Sequence, residues 1–292
     1  MIIINSRGQL GNQLFQYSFA FSLSKRFNTF FLIDKIDTRD SLHYFTLKHK
    51  QYSLYVISRF FYNIKLHMPS RLYNILLKIL YTIAIKKEYT VDDWKDPEEQ
   101  LAVLQDQTYY RGYFQSLTYF KAYESIIRQL FTVKQKYRQV FENQYGKLFN
   151  YNRTLVIHIR RGDFLTAGTE ALAGKDLSLP ITYYEKALQT VSDITLYQMI
   201  FISDDITFVK EHFGQYANAH FSNNGEIIDF QMIMNADVAI IANSTFGWWA
   251  ALLNGKAHKK IISPDHWLGF RIKKEFPVGI IPESWHQINI YD

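Results

Sequence analysis

From Thr154 onward the chain alternates short apolar runs with helical segments, and this regularity restricts the fold more than any other feature. TLVIHIRRGD reads as strand and loop, ITYYEKALQTV as helix, YQMIFISDD as strand, ITFVKEHF as helix and AHFSN as strand. EIIDFQMIMNA then reads as helix, VAIIANS as strand, TFGWWAALLNG as helix and KKIISP as a final strand. Such alternation argues for an α/β fold, a parallel sheet covered by helices on both faces. The first 35 residues open in the same way, with a strand MIIIN, a glycine-bearing turn SRGQLGNQ, a helix from Leu14 to Phe27 and a strand TFFLID. Apolar residues wrap most of that helix, which predicts deep burial.

A length of 292 residues with 48% hydrophobic content fits a globular chain of two ordinary domains. The expected division is 1–145, an N-terminal domain carrying a basic, aromatic-rich helical insertion, and 146–292, a C-terminal domain; Lys134 to Asn152 reads as the junction. DDWKDPEEQ, Asp92 to Gln100, reads as a polar loop, and Leu117 to Phe149 as a mixed helical region. There is no cysteine, which excludes a disulfide scaffold, thiol catalysis and thiolate metal sites and suits a reducing cytoplasm. MIIINSRG does not read as a signal peptide. Leu72 to Ile85, interrupted by Lys78, is shorter than the roughly 20 residues a spanning helix needs, so no transmembrane segment is expected.

The net charge of +6 is concentrated between Ser41 and Lys87, where Lys48, Lys50, Arg59, Lys65, Arg71, Lys78, Lys86 and Lys87 meet no Asp or Glu. Interleaved aromatic and aliphatic residues suit an amphipathic helix on an anionic membrane surface. Two other readings stand beside it, a groove that tracks nucleic-acid phosphates and a solvated basic helix pair packed on its own domain.

In a parallel α/β sheet, ligands bind outside the carboxyl ends of the strands. That rule gathers His158, Arg160, Arg161 and Asp163 from one strand end; Ser203, Asp204 and Asp205 from the next; Asn223 and Asn224 from the third; and Asn243, Ser244 and Thr245 from the fourth. Arginine forks can hold phosphates, a helix N-terminus can donate N–H groups to them, and a carboxylate can accept from base or ribose. Each piece has a plainer alternative: Arg160 and Arg161 as salt-bridge partners, Asp204, Asp205, Ser244 and Thr245 as helix caps, Trp248 and Trp249 as core. Asp204-Asp205 raises a divalent cation between diphosphate and carboxylates, but an arginine-based site already supplies positive charge for the leaving group, and no HExxH-like ligand spacing occurs. GQLGNQ lacks the glycines of a dinucleotide fingerprint; Gly11, Asn12 and Gln13 are either amides facing a cleft or a tight turn capping the helix.

RGQLGNQLFQYSFAFSLSKR, HIRRGDF, FISDD, IIANSTFGWWAALLN and IISPDHW together resemble the motif series of the α-1,2-fucosyltransferases of glycosyltransferase family 11, in the same order and spacing across both halves. Thr38 to Tyr109 carries no recognisable motif. The resemblance implies a GT-B-type transferase, two Rossmann-like domains with parallel sheets facing across a cleft, an inverting reaction, a GDP-sugar donor, most often GDP-β-L-fucose, and no metal or other cofactor. It implies that Arg160 holds the β-phosphate and stabilises departing GDP, with Arg161 assisting. It sets His158, Asp204, Asp205, Asn243, Ser244, Thr245 and Phe246 on the donor side, and Gly11, Asn12 and Gln13 on the fucose and acceptor side. Gln9 stands where bacterial members commonly have Gly, and Gly247 where Ser is frequent.

The implied mechanism is a single displacement that needs leaving-group stabilisation more than a strong nucleophile. Asp163 is one candidate general base, its alternative role being an ion pair that positions Arg160; Glu170, Asp34 and Asp37 are others. The expected acceptor is a galactoside or lipid-linked oligosaccharide of an O-antigen or capsule unit, met at the inner face of the bacterial membrane by a cytoplasmic enzyme in peripheral contact with it. Nucleic acid is not an expected partner. A transferase using another GDP-deoxysugar, a basic nucleic-acid-binding module and a peripheral membrane scaffold are the alternatives.

Overall fold

The structure, a computed structural model, describes residues 1–34, 41–47 and 67–291. It divides into two compact units, Met1–Thr132 and Val133–Asp292. Residue 145, where the sequence sets the border, lies inside the helix Gln135–Tyr151. That helix belongs to the second unit because Phe141 and Phe149 are buried there and the Tyr145 hydroxyl donates to Asn224 Oδ1 at 3.0 Å.

The first unit is built on a four-stranded parallel sheet, β1 (Ile2–Asn5), β2 (Phe31–Asp34), β3 (Lys87–Thr90) and β4 (Thr108–Arg111), in the order β2-β1-β4-β3. The expected β-α-β opening is present, with Ile3 opposite Leu32 on one side and Tyr109 on the other. Its helix, Leu10–Arg26, is buried along nearly its whole length. Phe19 stacks on Phe114 at 3.9 Å and meets Tyr110 and Tyr119 edge-on, each at 5.4 Å, so ring packing holds the helix at this position. β3 falls in the stretch that carries no recognisable motif, and β4 begins at its end. DDWKDPEEQ is only partly a loop: Asp96 accepts from the N–H groups of Glu98 and Glu99, Pro97 fills the first helical position, and a helix runs over Pro97–Val103.

The second unit holds a six-stranded, all-parallel sheet: β5 (Arg153–Ile159), β6 (Tyr197–Ser203), β7 (Ala219–Phe221), β8 (Val238–Ile240), β9 (Lys260–Pro264) and β10 (His286–Ile288). The order is β10-β9-β8-β5-β6-β7. Five strands and the helices between them match the sequence alternation; β10, three residues long, is an addition. β5 sits in the middle and is buried on both faces, Leu155, Ile157 and Ile159 packing with Tyr184, Met199 and Ile240. The chain winds outward from β5 through β6 and β7, then returns to β8 on the other side of β5 and winds away through β9 and β10. The switch point of the sheet is therefore the β5/β8 boundary, where open α/β sheets form ligand crevices.

Lys48, Lys50, Arg59, Lys65 and Asp37 lie outside the described residues. Of the basic stretch, the structure describes a helix over Ser70–Ala84. Arg71, Leu72, Ile75, Lys78, Ile79, Thr82 and Ile83 are all exposed, at the spacing of one helical stripe. Leu72, Ile75, Ile79 and Ile83 are each more than half exposed.

Candidate functional site

The carboxyl edge of the second sheet carries the arginines on loops that the fold holds tightly. Beyond β5, the Arg160 guanidinium is clamped by two carboxylates, Nη2 to Asp163 Oδ1 at 2.7 Å and Nη1 to Asp204 Oδ2 at 3.1 Å. Its Nε is buried without a hydrogen-bond partner. Arg161 lies over the Phe208 ring at 3.5 Å, and its Nε reaches Asp205 Oδ2 at 3.3 Å. The Arg161 backbone N–H donates to Asp204 Oδ1 at 2.9 Å. Gly162 permits this closure: a Cβ there would stand 2.4 Å from Asp204 Oδ2. Partly exposed ion pairs add little stability; what these contribute is orientation of two guanidinium planes.

His158, on β5, is buried, and its Nδ1 has no hydrogen-bond partner. Burial, helped by the Arg160 charge, drives its pKa down to about 3, so the imidazole is neutral at physiological pH. Gly247 lies against it: a Cβ at that position would stand 2.6 Å from His158 Nδ1. With His158 placed so, glycine where Ser is frequent follows from close approach.

From β8, Asn243 Nδ2 donates to Leu177 O at 2.9 Å, while its Oδ1 is buried without a partner. Ser244 occupies the N-cap position of the helix Thr245–Leu253, but its side chain makes no cap hydrogen bond. The first turn of that helix therefore keeps N–H groups for an anion. Phe246 packs on Phe230 at 5.3 Å and on His158 at 5.5 Å. Trp248 and Trp249 are core residues, Trp248 Nε1 donating to Ile280 O at 2.7 Å.

The two aspartates beyond β6 serve the arginines first. Asp205 also caps the helix Ile206–Phe213 by accepting from Phe208 N–H at 3.2 Å, so the capping alternative holds for it. Among the described residues no group of three or more His, Asp or Glu side chains is arranged to hold a metal ion.

The structure adds two acids to this edge that sequence reasoning passed over. Glu226, at the start of the helix Glu226–Met234, has a buried Oε2 without a partner. Asp229, one turn on, accepts from the Ser222 hydroxyl at 2.5 Å, and the Asn224 amide donates to the same hydroxyl. Burial pushes the Asp229 carboxyl up to about 6, against the two polar neighbours. In the sequence both are ordinary acids in the first turn of a helix; their position after β7 is the signal that was there to read.

The N-terminal motif folds as a self-satisfied turn. Gln13 Nε2 donates to Gly8 O at 3.1 Å, Asn12 Oδ1 accepts from Gln115 Nε2 at 2.9 Å, and Gly11 is buried in the first helical turn. Gly8 itself has φ of +83°, the left-handed region that favours glycine. Of the other general-base candidates, Glu170 is exposed at a 3₁₀ turn and Asp34 ends β2. Asp163, 59% exposed, is the ion pair on Arg160.

Two α/β units with all-parallel sheets, the second presenting clamped arginines and an open helix N-terminus at its switch point, define a GT-B-type glycosyltransferase architecture. The NodZ α-1,6-fucosyltransferase of Bradyrhizobium, in a crystal soaked with GDP-fucose, shares this fold with a TM-score of 0.52 and 13% identity, covering 90% of this chain and 94% of that one. The chain belongs to glycosyltransferase family 11: the sequence model of Glycosyl transferase family 11 matches residues 1–276. It is similar to the O-antigen biosynthesis glycosyltransferase WbnK of Escherichia coli, 29% identical over 95% of this chain and 97% of WbnK. It is also similar to the α-1,2-colitosyltransferase of Escherichia coli, 24% identical over 99% of each chain. A galactoside 2-α-L-fucosyltransferase of Caenorhabditis elegans is 23% identical over 61% of this chain and 52% of that protein. This protein is a glycosyltransferase, and among its described residues no helix is long and apolar enough to cross a membrane.

Proposed function

We propose that the protein is an inverting galactoside α-1,2-fucosyltransferase that moves L-fucose from GDP-β-L-fucose to a galactose-type hydroxyl of a surface glycan precursor. The observation that carries the donor reading is a set of buried polar atoms without partners at one sheet edge: His158 Nδ1, Arg160 Nε, Asn243 Oδ1 and Glu226 Oε2. Buried polar groups are normally satisfied, so such a set is what a polar ligand would complete. Arg160, with Nε and its remaining N–H bonds, holds the β-phosphate; Arg161 assists, and the Ser244–Thr245 helix start donates N–H groups. Asp163, Asp204 and Asp205 orient the arginines, and Asp229 supplies a carboxylate for base or ribose. In the reaction the acceptor oxygen bonds to the anomeric carbon from the face opposite GDP, the bond to the phosphate oxygen breaks, GDP leaves with the electron pair, and a base takes the hydroxyl proton. Two cations and a helix terminus supply leaving-group stabilisation, so the reaction runs without a metal.

WbnK and the C. elegans relative support the O-antigen precursor and the α-1,2 linkage. The similarity to a colitosyltransferase over 99% of both chains favours a second reading, another GDP-deoxysugar as donor. The test is transfer to lactose in excess EDTA, with a panel of GDP-sugars and the linkage read by NMR. An α-1,2-fucoside is expected; turnover of another GDP-deoxysugar alone selects the second reading, and absence of GDP binding discards both.

The exposed stripe Leu72, Ile75, Ile79 and Ile83, flanked by Arg71 and Lys78, supports peripheral contact with an anionic bilayer. Such an enzyme works at the cytoplasmic face of the membrane on lipid-linked acceptors. Replacing Arg71 and Lys78 by Gln should reduce co-sedimentation with phosphatidylglycerol vesicles several-fold; unchanged binding removes this part of the proposal.

A further inference from the structure

Within the motif series, IISPDHW has no role in the donor site described above. Its apolar half lies on β9, and its polar residues, Asp265 and His266, stand just past the carboxyl end of that strand. The sheet register shows what they lie beside. Ile157 on β5, Ile240 on β8 and Ile262 on β9 form one row across three adjacent strands. Three residues further along each strand's chain come Arg160, Asn243 and Asp265. The pair thus ends the strand next to Asn243's and second from Arg160's, two strand spacings or about 10 Å across the sheet.

The loop holds the pair in a conformation that side chains rarely adopt. His266 and Trp267 both have φ of +54°, the left-handed region that bulky residues avoid. Their surroundings enforce it. Asp265 N–H donates to Ile288 O at 3.0 Å, His266 O accepts from Gly269 N–H at 2.9 Å and from Phe276 N–H at 3.2 Å, and Leu268 N–H donates to Phe276 O at 3.0 Å. Trp267 is fully buried. The Asp265 carboxylate is thereby set against the imidazole, Oδ2 standing 3.5 Å from His266 Nε2. The His266 side chain is 35% exposed, and its Nδ1 has no hydrogen-bond partner among the described residues. Strained backbone that its surroundings over-determine clusters at ligand clamps and active sites.

Charge decides what such a pair can bind. Along the edge from β5 to β9 the groups run from the Arg160 guanidinium, through the helix N–H groups after Ser244, to the Asp265 carboxylate. The first two suit phosphate. A carboxylate repels phosphate and accepts instead from a hydroxyl, and an imidazole nitrogen beside it can bond the next one. We propose that Asp265 and His266 form the subsite for the transferred sugar, the carboxylate accepting from one ring hydroxyl and His266 Nδ1 bonding a neighbouring one, and that the pair selects which GDP-deoxysugar is used. The proposal rests on the glycosyl-transfer reading above and places the sugar one strand beyond the helix start that receives the diphosphate. A sugar lacking the hydroxyl that the pair holds loses that bond, the kind of difference by which polar sites discriminate between substrates.

The experiment measures kcat/KM of transfer to lactose by wild type, Asp265→Asn and His266→Asn, with GDP binding by calorimetry alongside. The donors are the GDP-deoxysugar that wild type turns over and analogues of it that each lack one ring hydroxyl. Asn tolerates a left-handed backbone, so His266→Asn keeps the loop while withdrawing the imidazole, and it decides alone if Asp265→Asn does not fold. Each folded variant should bind GDP within about twofold of wild type and lose on the order of 10- to 100-fold in kcat/KM with the full donor. With one of the analogues that loss should shrink to within about threefold, because the bond removed from the enzyme is already missing from the sugar. A merely structural role would lower transfer from every donor alike. Equal losses with all donors, a loss of GDP affinity that matches the loss of transfer, or transfer from the full donor within about threefold of wild type overturns the subsite and leaves the transfer reading standing. Absence of transfer by wild type from any GDP-sugar overturns the transfer reading and this subsite with it.

Discussion

Two aspartates eight positions apart lie at opposite edges of the same sheet, and their surroundings differ in kind. Asp237, at the amino edge just before β8, is saturated: it accepts from the Thr154 N–H and hydroxyl at 2.8 and 2.9 Å and from Lys256 Nζ at 2.7 Å. Burial opposes its ionisation, but Lys256 and the Thr154 bonds outweigh that and hold its pKa below the usual value. Asp229, at the carboxyl edge, has the polar side chains of Ser222 and Asn224 as neighbours, and burial raises its pKa to about 6 against them. The amino edge is closed on itself, whereas the carboxyl edge keeps donors and acceptors waiting. Stability and binding have been assigned to different ends of the same strands.

The strongest way to break this contrast is Arg160→Ala. Transfer should fall by about 1000-fold, the scale of losing a preorganised donor to developing negative charge, while the melting temperature moves little because the pairs of Arg160 are partly exposed. Substantial transfer by the folded variant would refute the role. Asp237→Ala should do the reverse. Leaving Thr154 and Lys256 without their acceptor costs about 2 kcal/mol, a fall of roughly 4–8 °C in Tm by calorimetry, with kcat of the folded fraction unchanged.

A smaller effect sharpens the comparison through pH. Because the folded pKa of Asp229 is raised, its contribution to stability is fully present below about pH 4 and is lost as pH rises through about 6. Asp237 has the opposite sign, contributing above its unfolded pKa and losing that contribution as pH falls. Denaturation series from pH 4 to 7 should therefore show wild type losing stability relative to Asp229→Asn as pH rises. A difference that is flat across that window would contradict the burial of Asp229.

Much of this was legible in residues taken one strand at a time. His158, Arg160, Asp204 and Asn243 were all found at strand ends because strand and helix periodicities are local, and the edge rule needs only strand direction. Asp229 was missed since an acid in a first helical turn looks like any dipole-favouring residue. Asp96 was read as loop although D-P-E-E is a cap followed by a first-turn proline. Asp163 reads as base or as clamp from the motif it belongs to, and in the structure it pairs with Arg160.

What the sequence alone determined is the order and direction of the second unit's elements up to β9 and of the β-α-β opening of the first, hence their carboxyl edges. Those properties follow from hydrophobic periodicity and turn chemistry within a dozen or so residues. What only the tertiary structure decided is which polar atoms have partners. Asn243 spends its amide on Leu177, 66 residues away in sequence, and Gly247 closes against His158. Whether a donor is satisfied or left for a ligand depends on groups that distant parts of the chain bring within about 3 Å, and no local pattern encodes that.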